Sequence, residues 1–143
     1  MFMPATTLCQ TPAETQALAR DLAQTLQPPV VIALYGDLGA GKTLFTQALA
    51  LVLGVTEPVT SPTFTLINEY ELPAGGRLFH VDVYRLHNAV EEAIALGLED
   101  LFDAGIVVIE WADRIADILP DERIEVHFQP AGEGQRRITV RKT

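Results

Sequence analysis

An α/β architecture is predicted for this sequence: a mostly parallel central sheet flanked by helices, with antiparallel hairpin additions. Three observations point there. The apolar runs Val30–Tyr35 and Ile106–Ile109 show no alternation, as expected of strands whose two faces are both covered by helices in a parallel sheet. Segments with helical spacing of apolar residues lie beside them. Residues 36–43 read Gly-Asp-Leu-Gly-Ala-Gly-Lys-Thr, a complete GxxxxGK[ST] phosphate loop placed directly after the first run.

The elements follow in order. Thr11-Pro-Ala-Glu14 offers a hydroxyl cap, proline at the first helical position and glutamate where a capping box needs it. A helix is expected from there to about Leu26, with Leu18, Leu22 and Leu26 on one face and Pro28-Pro29 as its stop. Val30–Tyr35 is the central strand, and a helix from Lys42 to about Leu53 turns Phe45, Leu49 and Val52 inward before Gly54. After the hydroxyl-rich turn Thr60-Ser-Pro-Thr63, strands Phe64–Glu71 and Arg77–Tyr84 are expected to pair as a hairpin through Pro73–Gly76. Asn88 with Glu91 marks another helix start, and Gly97 and Gly105 bracket a short helical stretch around Glu99–Phe102. Ile106–Ile109, ending at Glu110, is the best partner for the central strand. Arg114–Leu119 predicts a short helix stopped at Pro120. Alternation at Ile124, Val126 and Phe128, and again at Ile138 and Val140, with Pro130–Gly134 between, predicts a second antiparallel hairpin. No regular element is assigned to Met1–Gln10.

Bulk properties exclude several classes. The 143 residues, 48% hydrophobic, are enough for one core and short for two, so 1–143 is read as a single domain. The apolar runs fall far below the roughly 20 residues of a membrane span, and the start has no basic segment followed by an apolar one, so export is not expected. Cys9 is the only cysteine, which suits a reducing cytoplasm. Net charge is −9, and residues 91–122 carry ten carboxylates against the single basic Arg114, which disfavours direct nucleic-acid binding. Arg136, Arg137, Arg141 and Lys142 leave one small positive patch, most simply a solvated strand face.

The loop fixes the chemistry to look for, and with its flanking strand and helix it puts the chain in the P-loop NTPase class. Its glycines let backbone N–H groups close around an anion, Lys42 reaches β and γ phosphates, and the Thr43 hydroxyl can ligate magnesium. Hydrolysis also requires a carboxylate that positions the metal or the attacking water. Glu110 ends its strand at the carboxyl edge, beside the loop if the two apolar strands are parallel neighbours. Asp82 lies in His80-Val-Asp-Val-Tyr84, where the two-residue period puts His80, Asp82 and Tyr84 on one face, toward the site. Other residues carry two readings each. Thr60, Ser61 and Thr63 form either a switch sensing the γ phosphate or a plain turn, and Trp111 either stacks on a base or packs. Arg85 and Arg114 contact phosphate or form surface ion pairs. The three histidines lack metal-ligand spacing, so no zinc site is expected. A guanine-specifying Asn-Lys-x-Asp segment is absent, since the only lysines are Lys42 and Lys142. A small-molecule kinase and a non-hydrolysing, nucleotide-dependent binding module are the alternatives to an ATPase.

GDLGAGKT at 36–43, SPTF at 61–64, HVDVYR at 80–85 and EWADR at 110–114, in this order and spacing, resemble the TsaE (YjeE) family of bacterial tRNA threonylcarbamoyladenosine biosynthesis. The resemblance covers about residues 11–142, loosely after Pro130. It implies a cytoplasmic, magnesium-dependent ATPase, weak alone, with ATP held at Leu38, Gly39, Ala40, Gly41, Lys42 and Thr43 and with Trp111 near the adenine. It also implies Mg²⁺ on Thr43 and Glu110, and Lys42, Asp82 and Glu110 as the catalytic set. The implied partners are TsaD and TsaB, which transfer the threonylcarbamoyl group to adenosine 37 of tRNA. Hydrolysis by this chain would reset that complex between turnovers, and the chain would meet tRNA only through it.

Overall fold

The computed structural model describes residues 4–37, 39 and 41–143. In chain order the elements are β1 (Ala5–Cys9), α1 (Pro12–Ala23), β2 (Val30–Tyr35), α2 (Lys42–Val52), β3 (Ile67–Glu71), β4 (Arg77–Asp82), α3 (Ala89–Ala95), α4 (Leu98–Leu101), β5 (Ile106–Glu110), a 3-10 helix (Ala112–Ile118), β6 (Ile124–Gly132) and β7 (Gln135–Lys142). The strands form one mixed sheet in the order β1-β7-β6-β2-β5-β4-β3. Its centre, β6-β2-β5-β4, is parallel, and each margin is antiparallel.

The uninterrupted apolar runs sit where both faces are covered. Ile32, Leu34, Ile106 and Val108 pack with α1 and α2 on one side, while Val31, Ala33, Val107 and Ile109 pack with α3, α4 and the 3-10 helix on the other. The parallel β2–β5 pair aligns Leu34 with Glu110, and β4–β5 aligns Asp82 with Glu110. This register brings two carboxylates to the same edge of the sheet, where the 36–43 loop leaves β2.

Four local features depart from the sequence reading. β1 is a strand at the sheet margin, paired with β7, where no element was expected. Only Cys9 of its five residues is buried, so it carries no apolar pattern. β3 begins at Ile67 rather than Phe64 because Leu66 is left-handed (φ 70°) and its carbonyl accepts the Asp82 N–H at 2.9 Å. β4 stops at Asp82, and the N–H of Leu86 then bonds the Val83 carbonyl in a turn. The helix expected from Arg114 is a 3-10 turn that begins at Ala112 and is irregular at Ile115.

Candidate functional site

Helix α2 opens with Gly41 in a left-handed conformation (φ 97°), with no side-chain cap and no acidic residue in its first turn. The first N–H groups of such a helix have no partner within it and carry the positive end of its dipole. Gly39 is left-handed too (φ 76°), and a Cβ built on Gly39 or Gly41 would meet no heavy atom within 4 Å. These glycines are therefore required by backbone conformation. The space above them is a cavity of about 450 Å³.

That cavity gathers the candidates. Lys42, Thr43, Asp82, Glu110 and Trp111 line it together with Gly39 and Gly41, and Ser61, Thr63, Tyr84 and Arg85 complete the wall. Leu38 and Ala40 lie outside the described residues. Lys42 is only 5% exposed. Its Nζ donates to the Gly36 carbonyl at 2.5 Å and lies 3.6 Å from the centre of the Trp111 ring, a cation–π contact. Burial lowers the Lys42 pKa, opposed by the charges of Glu110 and Asp82. The Thr43 hydroxyl is 3.3 Å and 3.4 Å from the two oxygens of Glu110. Burial raises the Asp82 carboxyl and the Glu110 charge adds to that, against a hydrogen bond from the Tyr84 N–H at 2.9 Å.

The donor set is hydroxyl and carboxylate oxygen beside an uncapped helix start and a buried ammonium. That is the chemistry which accommodates a hard divalent cation together with phosphate oxygens. The fit is local and uses only side chains that the register of β2, β4 and β5 already brings together.

The remaining candidates divide. Ser61 and Thr63 hydroxyls bond each other at 2.9 Å at the cavity wall. Arg85 also lines it, with its guanidinium 4.4 Å from the Phe64 ring centre. Arg114 forms no surface ion pair among the described residues. It donates to the carbonyls of Val83, Tyr84 and Leu86 and so clamps the turn after Asp82. Tyr84 leans on Trp111 at 4.7 Å between ring centres.

Two residues to which the sequence reading gave no role join the site. His80, fully buried, places Nε2 2.5 Å from Glu110 Oε2. The alternation that set His80 and Asp82 on one face was the available signal. Arg136 donates to the Gly39 carbonyl at 2.8 Å across 97 residues of sequence. Nothing in its local pattern announces this, because it depends on how β7 sits in the sheet. Arg136 and Gly39 also border a smaller hollow of about 160 Å³ with Cys9, Thr11 and Leu44, on the β1 side of the loop.

The family model described as "Threonylcarbamoyl adenosine biosynthesis protein TsaE" matches residues 9–138. A TsaE protein of Bacillus subtilis is 45% identical over 132 residues, 90% of this chain and 79% of the relative. One from Treponema pallidum is 40% identical over 122 residues, 83% and 87% of the respective chains. The crystal structure of Bacillus subtilis YdiB superposes with a TM-score of 0.81 at 38% identity, covering 98% of this chain and 86% of that one.

Proposed function

This chain belongs to the TsaE family of threonylcarbamoyl adenosine biosynthesis proteins, and from that membership we propose that it serves tRNA modification as a cytoplasmic ATPase of the P-loop NTPase class. Hydrolysis of ATP would drive turnover of a TsaD–TsaB complex that carries out the transfer to adenosine 37. The observation that carries this reading is the convergence of Lys42, Thr43, Asp82 and Glu110 on one cavity at the uncapped start of α2.

Each residue then has a task. The N–H groups of Gly39 and of residues 41–43, with the Lys42 ammonium, would hold the β and γ phosphates. Thr43 and Glu110 would hold Mg²⁺, which when bound supplies neutralisation of the phosphate oxygens. Asp82 borders the same cavity, and its raised carboxyl suits it to orient and take a proton from the attacking water. The resemblance puts the adenine near Trp111. The ring's contact with Lys42 Nζ favours the terminal-phosphate end for it, and the hollow bordered by Thr11 and Arg136 offers the base a place on the other side of the loop.

Among the described residues Arg85, which lies over Phe64, is the one arginine lining the larger cavity. An arginine supplied by a partner is worth roughly 10³–10⁵ in rate in other enzymes of this class. Turnover is therefore expected to be slow alone and faster with TsaD and TsaB. The test is ATP hydrolysis with Mg²⁺ and no phosphoryl acceptor, with and without that pair, for wild type and Lys42→Ala. Lys42→Ala should lose at least about 100-fold, because it removes the cation from the transferring phosphate. Turnover that appears only with an added small-molecule acceptor would mean a kinase; nucleotide binding without turnover under any condition would mean a binding module.

A further inference from the structure

Buried imidazoles ordinarily have partners on both ring nitrogens. His80 does not. It is fully buried on β4, its Nε2 meets Glu110 Oε2 at 2.5 Å, and its Nδ1 has no hydrogen-bond partner among the described residues. Val108 faces it in the β4–β5 register and Asn68 in the β3–β4 register, and Leu78 lies two residues earlier on the same face. A leucine at this position would satisfy that environment without leaving a polar atom bare.

The arrangement also assigns the proton. A carboxylate oxygen accepts and does not donate, so the ring nitrogen that faces it carries the N–H. Nε2 is therefore the donor and Glu110 Oε2 the acceptor. Glu110 is itself 4% exposed and reaches no other polar side chain among the described residues except Thr43, whose hydroxyl is shared between its two oxygens. Without His80 the carboxylate would be free to rotate about its last bond, and no other group among the described residues would hold one oxygen back while the other faces the cavity.

We propose that His80 is a positioning residue: its Nε2–H pins Glu110 Oε2 so that Oε1 and the Thr43 hydroxyl present a preset pair of oxygens to a divalent cation. The inference rests on the nucleotide–magnesium reading above and deepens it by naming the group that orients the carboxylate. Partners that orient metal-binding carboxylates in this way typically contribute 10–100-fold in metal affinity. His80 touches neither the nucleotide nor the reacting atoms, so its effect should be read on the metal.

The test is Mn²⁺ binding to the ADP-loaded protein, followed by loss of the free-Mn²⁺ electron paramagnetic resonance signal, so that no turnover is involved. His80→Leu keeps the bulk and removes the donor; Mn²⁺ affinity should fall about 10–100-fold, while ADP affinity in EDTA stays within about threefold. His80→Gln, whose amide N–H can donate from nearly the Nε2 position, should recover most of the loss. Unchanged Mn²⁺ affinity in His80→Leu overturns the proposal, and so does an equal loss in the Gln and Leu variants, which would make ring shape rather than donation the relevant property. If His80→Leu does not fold, His80→Gln decides alone: affinity near wild type supports the proposal, and a tenfold loss overturns it. Wild-type protein that binds neither ADP nor Mn²⁺ would instead bring down the nucleotide reading, and this inference with it.

Discussion

Asp82 is held against its own preference. Its carboxyl is 5% exposed, and burial, helped by Glu110, raises its pKa above the ordinary 3.8. A carboxyl raised in the folded state favours folding while protonated, below its unfolded value, and that contribution disappears as pH rises through the folded value. At neutral pH the charged Asp82 is therefore a net cost to stability. Asp82→Asn keeps an oxygen for the Tyr84 N–H and removes the charge. It should raise the thermal midpoint at pH 7 by about 2–4 °C, with the gain shrinking toward pH 4, and should lower ATP turnover by about 10²-fold or more. Calorimetry beside a hydrolysis assay checks both halves; a lower midpoint would contradict the assignment. At this scale the sequence was readable wherever one residue type has one job. Lys42, Thr43 and Glu110 came from the loop motif and a strand end. Arg114 and Arg136 did not, because their acceptors are backbone carbonyls brought near only by the finished fold.

Elements were legible in proportion to how much of their signal is local. Helix α1 begins where its capping box places it: the Glu14 N–H donates to Thr11 Oγ1 at 3.2 Å, and Glu14 Oε2 accepts the Gln10 N–H at 2.7 Å. Thr11→Ala removes the first of these and should cost about 1 kcal/mol, or about 2–4 °C in thermal midpoint, with little change in the spectrum of the folded protein. The parallel pairing of β2 with β5 was equally visible, since both are buried on two faces. β1 escaped notice because its first four residues are exposed and its only reason to be extended is the free edge of β7. The early start assigned to the strand after Thr63 has a related cause: Phe64 looks like a strand residue but is 84% exposed in a turn. Periodicity cannot see a contact that lies more than a hundred positions away.

The whole molecule is an acidic α/β sheet protein in which half of the ten basic residues, Arg123, Arg136, Arg137, Arg141 and Lys142, lie on or beside the β6–β7 hairpin. There Glu125, buried on β6, accepts from Arg123 Nε at 2.9 Å, His127 Nε2 at 3.0 Å and Arg141 Nη2 at 2.5 Å. Burial by itself pushes the carboxyl up, but these partners together bring it down from 4.5 to about 2. A carboxyl depressed in the folded state contributes its full stabilisation above its unfolded value and loses it as pH falls toward the folded one. Glu125 should therefore contribute about 3 kcal/mol near neutrality, disappearing between about pH 4.5 and pH 2. Urea titrations of Glu125→Gln against wild type should show that difference at pH 7 and see it close across this window. Part of the C-terminal basic patch is thus an ion-pair cluster rather than a solvated face; Arg137 and Lys142 remain exposed without a carboxylate partner among the described residues.

The sheet order carries one more implication. β1 has β7 as its neighbour, and the Thr6 and Thr139 hydroxyls that meet across them are 133 residues apart. A ribosome delivers these two threonines 133 residues apart. At roughly 5–20 residues per second, the earlier strand waits on the order of ten seconds for its mate to be translated. Throughout that interval the nascent chain carries an unmatched ribbon, an opening for chaperones or for a neighbouring polypeptide on the same polysome.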